Sequence, residues 1–215
     1  MFLISLTIFI LIDIILTEEI MRCSWCNEKN KLYVDYHDNE WGKLNLSEKY
    51  LFEMLTLESF QAGLSWECVL NKREAFRLAY DDFNLDKVCA YTENKMLELR
   101  KNPKIIRNKL KIKASIVNAR IFKAIQNEFG SFQNYLRSFW NGEIIFECDK
   151  VTSPLSDSIS ADLYKRGMRF VGSVIIYSFL QAVGIINSHE PACFANPDGL
   201  HRKPNAPPSN ATLEK

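Results

Sequence analysis

The chain has 215 residues, 47% hydrophobic and 25% charged, with a net charge of +1 at pH 7, which fits one well-cored globular domain with small appendages. So even a balance excludes a global field for nucleic acid, and any basic surface must be local. Six cysteines at irregular spacing do not form a disulfide framework and point to a reduced, cytoplasmic setting.

Residues 1–20 differ from the rest. Ile, Leu and Phe dominate positions 1–16, interrupted by Asp13. The run is short for a membrane span, which needs about 20 apolar residues. It also lacks the basic start and small-residue cleavage site of a signal peptide. Asp13, Glu18 and Glu19 surround it with no base, and Met21 follows directly. Residues 1–20 therefore read as an over-extended start with Met21 the initiator; a membrane-tethered protein is the alternative. Without them 27 basic residues face 23 acidic ones, a charge of +4. One domain is expected over 21–200, and the Pro-, Asn- and Ser-rich stretch 201–215 is expected to be disordered.

Between these ends the periodicity is helical. Ser47 caps a predicted helix with an apolar stripe at Leu51, Met54 and Leu55 that continues to Glu58 and Ala62 and stops at Gly63. Ser65 caps the next, with Trp66, Val69, Leu70 and Phe76 inward. Thr92 opens a short helix. Asn102-Pro103 is the predicted cap of a long one through Ile105, Ile112, Ile116 and Ile125, ending at Gly130. Ser131 starts another, to Trp140. Residues 144–146 form a possible short strand. Ser160 caps a helical turn halted by Gly167, and Gly172 opens an apolar helix that Gly184 ends. With no internal repeat and no convincing sheet, the fold class is all-α.

Four groups of residues carry chemistry. Cys23, His37, His189 and Cys193 have the composition of a tetrahedral Cys₂His₂ zinc site. The other reading makes the histidines satisfied polar residues and the cysteines small core residues. Cys26 completes a CxxC with Cys23, which leaves the ligand open and is also a redox pattern. Glu58 projects from an apolar stripe, where a carboxylate is costly unless paired; the bland alternative is an acid at the core edge meeting an arginine. Trp25, Tyr33, Tyr36, Trp41 and Trp66 crowd the same part of the chain, as core or as a pocket for a flat, electron-poor ring. Finally, Gly167 and Gly172 bracket a turn carrying Lys165, Arg166 and Arg169, whose backbone N–H groups and charges suit a phosphate. Arg107, Lys109, Lys111 and Lys113 read as a solvated helix face.

Taken together, these residues resemble the 3-methyladenine DNA glycosylase I family of the helix-hairpin-helix superfamily. The resemblance covers about residues 21–193. It rests on Arg22-Cys23-Ser24-Trp25, Tyr36-His37-Asp38-Asn39-Glu40-Trp41-Gly42, Leu57-Glu58, Gln61-Ala62-Gly63-Leu64-Ser65-Trp66, Lys165-Arg166-Gly167 and Phe170-Val171-Gly172 in order. It implies a helix-hairpin-helix glycosylase-like helical domain whose terminal segments are joined by structural zinc on Cys23, His37, His189 and Cys193, and not on Cys26. It implies hydrolysis of the N-glycosidic bond of N3-methyladenine in double-stranded alkylated DNA. Glu58 would be the catalytic carboxylate. Tyr36 would contact the flipped base, Trp66 would stack on it, and Trp25, Tyr33 and Trp41 would complete the wall. Leu64 would wedge into the duplex, while Lys165, Arg166, Gly167, Arg169 and Gly172 would meet its backbone. Residues 184–188, just before His189, hold no acid, so the main polar role falls to Glu58; no lysine takes an obvious Schiff-base position, so a monofunctional enzyme without strand cleavage is expected, as a monomer with no protein partner. A non-enzymatic, zinc-stabilised DNA-binding module is the rival reading.

Overall fold

The computed structural model describes residues 20–197; the expected leader up to residue 19 and the expected tail, 201–215, lie outside the described residues. No described helix is long and apolar enough to cross a membrane. The chain forms two compact units. One is terminal, with residues 20–25 and 189–197 described, and the other is Cys26–Ser188.

The larger unit is helical, as the periodicity predicts. In order it contains α1 (Lys31–Asn39), α2 (Glu48–Gln61), α3 (Trp66–Leu70), α4 (Arg73–Ala79), α5 (Leu85–Cys89), α6 (Glu93–Lys101), α7 (Lys109–Phe129), α8 (Phe132–Arg137), α9 (Pro154–Lys165) and α10 (Ser173–Ala182). A 3-10 turn at Asp81–Phe83 precedes α5. Two short strands, β1 (Ile145–Phe146) and β2 (Ile186–Asn187), pair in parallel, Ile145 opposite Ile186 and Phe146 opposite Asn187. The expected strand at 144–146 is thus real, but only as a two-residue ladder.

α2 is the centre of this unit. Every residue from Leu51 to Phe60 is buried, and the helix packs on α10, α7, α3 and α8. A helix buried all round is normally apolar throughout. This one carries two buried acids, Glu53 and Glu58.

Several boundaries differ from expectation because a stronger cap lies nearby. The long helix begins at Lys109, not after Asn102. Asn108 Oδ1 accepts from both the Leu110 and Lys111 N–H groups, whereas Asn102 Oδ1 accepts only from Lys104 in a local turn. Likewise α9 starts at Pro154, where Ser153 and Ser156 form a reciprocal capping box. Ser160 is inside that helix, and its Oγ donates to the Val171 carbonyl at 2.7 Å. The C-terminal limits at Gly130 and Gly184 hold. At Gly184, φ is +76° and a Cβ would come within 2.2 Å of the Lys43 backbone, so only glycine fits. The basic face 107–113 is not wholly solvated either, because Lys111 is buried.

Candidate active site

The site grows from the C-terminal half of α2. Glu53 and Glu58 lie on one buried helix, and their surroundings are opposite. Glu53 Oε1 accepts from Arg73 Nε at 2.7 Å and from Arg77 Nε at 2.8 Å. The arginine partner considered for Glu58 therefore belongs to Glu53. Glu58 is 2% exposed, and its Oε2 has no hydrogen-bond partner among the described residues. Burial pushes its carboxyl well above the ordinary carboxylate range. One turn on, the buried Gln61 Oε1 also lacks a partner among the described residues, as does Trp66 Nε1 at the start of α3.

Tyr36 joins these groups. Its ring centroid is 5.2 Å from that of Trp66, at 47° between planes. Burial raises the Tyr36 phenol well above its usual value, and the neighbouring Glu58 adds to the rise. Tyr33 is pushed up to about 12, by burial first and then by Glu67, Cys26 and Glu58. Glu58, Tyr33, Tyr36 and Trp66 thus form one constellation. Trp41, although buried, stacks on His37 with centroids 6.3 Å apart. Trp25 belongs to the terminal unit, where it is half-buried.

Two polar networks fix α1 against the site. At its start, Asn30 caps the Leu32 N–H while its Nδ2 donates to Glu67 Oε1 of α3 at 2.8 Å. At its end, both oxygens of Glu40 accept from Arg73 Nη1 at 2.8 Å. Arg73 thereby links α1 and α2 to its own helix, α4. Burial disfavours its charge, but Glu53 and Glu40 outweigh this and the net shift is upward.

The metal candidates divide between the units. In the terminal unit Cys23 and Cys193 are buried and His189 is 2% exposed. The Glu190 N–H points at Cys23 Sγ and the Ala195 N–H at Cys193 Sγ, each at 3.4 Å. In the larger unit His37 is fully buried, and its Nδ1 lies 2.8 Å from Asp38 Oδ1.

The DNA candidates fall on two loops. Leu64 is 42% exposed after Gly63, whose φ is +77°. The turn between α9 and α10 holds Gly167 at φ +104° and Phe170 at φ +57°. Gly172 is exposed and supplies no side-chain cap to α10. Lys165 and Arg169 are exposed. Arg166 turns back, pairing with Asp162 at 2.6 Å and with Glu128 at 2.5 Å, over the rings of Phe129 and Tyr135.

Among the described residues, a buried acid whose Oε2 has no hydrogen-bond partner, close to two tyrosines and a tryptophan, is chemistry that suits a flat and polar ring. Similar proteins place the chain itself in a family. Residues 25–196 match the methyladenine glycosylase family. DNA-3-methyladenine glycosylase 1 of Escherichia coli (strain K12) is 41% identical over 183 residues, 82% of this chain and 97% of that protein. A crystal structure of 3-methyladenine DNA glycosylase I has a TM-score of 0.79 at 40% identity, covering 82% of this chain and 100% of that one. A Staphylococcus aureus structure, described as the structural basis of 3-methyladenine recognition, has a TM-score of 0.78 at 32% identity, covering 83% and 97%. The chain belongs to the methyladenine glycosylase family. It is an enzyme, a DNA glycosylase, and the rival reading as a non-enzymatic binding module falls.

Proposed function

We propose that this enzyme removes N3-methyladenine from double-stranded alkylated DNA by hydrolysis, without cutting the strand. The observation that carries the reading is Glu58, a buried carboxyl near Tyr36 and Trp66 whose Oε2 has no hydrogen-bond partner among the described residues. Methylation at N3 makes adenine cationic. A cation entering the site supplies the counter-charge that Glu58 lacks, while Trp66 offers it a π face. Neutral adenine brings no charge and leaves the acid's burial uncompensated, so the pocket selects by charge as well as by shape.

The chemistry asks little of the protein. The C1′–N9 bond breaks with its electron pair moving into the cationic ring, which leaves as neutral 3-methyladenine. Water adds through oxygen at C1′ and its proton passes to solvent, with Glu58 placed to stabilise the developing charge and orient the water. Extrusion of the base costs a few kcal/mol, least for a lesion that already stacks poorly. Leu64 is the proposed wedge. Lys165 and Arg169, with the uncapped N-terminus of α10 after Gly172, would hold the backbone as a helix-hairpin-helix does. Arg166, already paired, would brace the turn.

A structural zinc ion on Cys23, His37, His189 and Cys193 is part of this reading. The donor set suits it: one backbone N–H is aimed at each sulfur, as around metal-bound cysteines, and an aspartate on His37 Nδ1 leaves Nε2 as the ligand atom. Bound there, zinc would supply folding energy and no chemistry. Stoichiometric zinc in the purified protein, with a lower melting temperature after chelation or in His189→Ala, is expected. A metal-free protein whose melt ignores chelators would end this part of the reading.

The function itself is tested by release of free base from methylated duplex, using the protein that starts at Met21. Release of 3-methyladenine without a borohydride-trapped adduct is expected. A folded, zinc-loaded protein that releases nothing would refute the assignment.

A further inference from the structure

The basic stretch at the start of α7 does not form one surface. Lys109 and Lys113 are exposed, whereas Lys111 is only 8% exposed and its ammonium lies inside. Nζ donates to the Phe60 carbonyl at 2.8 Å and to the Ala62 carbonyl at 2.5 Å. These oxygens sit at the C-terminal end of α2, where carbonyls run out of helical N–H partners and a cation is favoured. Burial lowers the Lys111 pKa, while two carbonyl acceptors at a helix C-terminus favour its ammonium form. Phe60 is two residues beyond Glu58, and Ala62 is two residues before Leu64.

The same helix also grips the second DNA loop. Asn118 Nδ2 donates to the Arg169 carbonyl at 2.9 Å, and the Arg169 N–H donates to Asn118 Oδ1 at 3.0 Å. Lys111 Nζ is 5.9 Å from the Phe170 ring centroid. One helix therefore fixes both loops, at two points about two turns apart.

We propose that Lys111 is a positioning residue for base extrusion, its ammonium holding the 62–65 loop, and so Leu64, in register with the α9–α10 turn for opening a duplex. This rests on the glycosylase reading above. A wedge matters where a stacked pair must be opened, and a single strand offers no pair to open. Loss of Lys111 should therefore act on duplex substrate selectively, which a general loss of packing would not do.

The test compares single-turnover base release from methylated DNA, as duplex and as the isolated strand, for the parent, Lys111→Met and Lys111→Arg. Losing a charged donor to two carbonyls should slow Lys111→Met roughly tenfold more on duplex than on single strand. Lys111→Arg, which keeps the donor, should recover much of the duplex rate. Affinity for free 3-methyladenine, read from tryptophan fluorescence, should not change, because no pocket side chain is altered. Equal losses on both substrates, or no loss on either, would overturn the proposal. If Lys111→Met does not fold, Lys111→Gln, which retains one donor, carries the same comparison. A parent inactive on both substrates would remove the glycosylase reading and this inference with it; given an active parent, the duplex-to-single-strand ratio judges Lys111 alone.

Discussion

Replacing Glu58 by glutamine should slow release of 3-methyladenine by roughly 10- to 100-fold, the worth of a hydrogen bond to a charged partner. Glutamine keeps the shape and removes the charge that answers the cationic base. Because burial raises the Glu58 pKa, the free enzyme loses its carboxylate as pH falls through that raised value. The parent's kcat/KM should decline there, above the ordinary carboxylate range, and the variant's should not. Stability should move the other way. A carboxyl bound more tightly to its proton in the folded state contributes most below its unfolded pKa, and that contribution is lost as pH rises through the folded pKa. Glu58→Gln should therefore melt above the parent near pH 8 and close to it below about pH 4. A variant with the parent's rate and pH profile would remove Glu58 from the chemistry.

Arg73→Met should be the most destabilising single change in the larger unit. Arg73 is 6% exposed and pairs with Glu53 at 2.7 Å and Glu40 at 2.8 Å. Removing one partner of a buried pair costs about 3–5 kcal/mol, since the remaining charge is stranded. The lower figure applies here, because Arg77 stays on Glu53. For a chain of this size the melting temperature should fall by roughly 10 °C. Glu40 ends α1, which carries Tyr36, so affinity for free base should fall as well. A loss below about 1 kcal/mol in a denaturant titration would mean that the pair is effectively solvated.

The sequence exposed Glu58 because it broke an apolar stripe, and the comparison with Glu53 shows the limit of that signal. Both acids are buried on one helix; what separates them is Arg73, twenty positions away, and no local pattern reports such a partner. α1 escaped notice for a related reason. Its buried face is Tyr33, Tyr36 and His37, the proposed site residues, in place of the aliphatic ones that periodicity detects. Gln61 stood one turn after Glu58 and could have been placed on the same face by spacing alone. Lys111 offered no such hint, because its inward turn depends on where α2 ends. Helix ends were legible where glycine alone fits, as at Gly184, and misread where several capping residues competed, as at Asn102 against Asn108.

The two-residue ladder between β1 and β2 has a consequence for how such enzymes could diversify. It sets Ile145 beside Ile186, so residues 147–185 run between two neighbouring backbones about 4.8 Å apart within the larger unit. That segment contains all of α9, its turn and α10. In a parallel pair the intervening chain must cross from the end of one strand to the start of the next, and here the crossover lays α10 on α2, so its ends and its last helix are both fixed. Length and sequence can then vary in the turn between α9 and α10, while α10 stays packed on the helix carrying the acid.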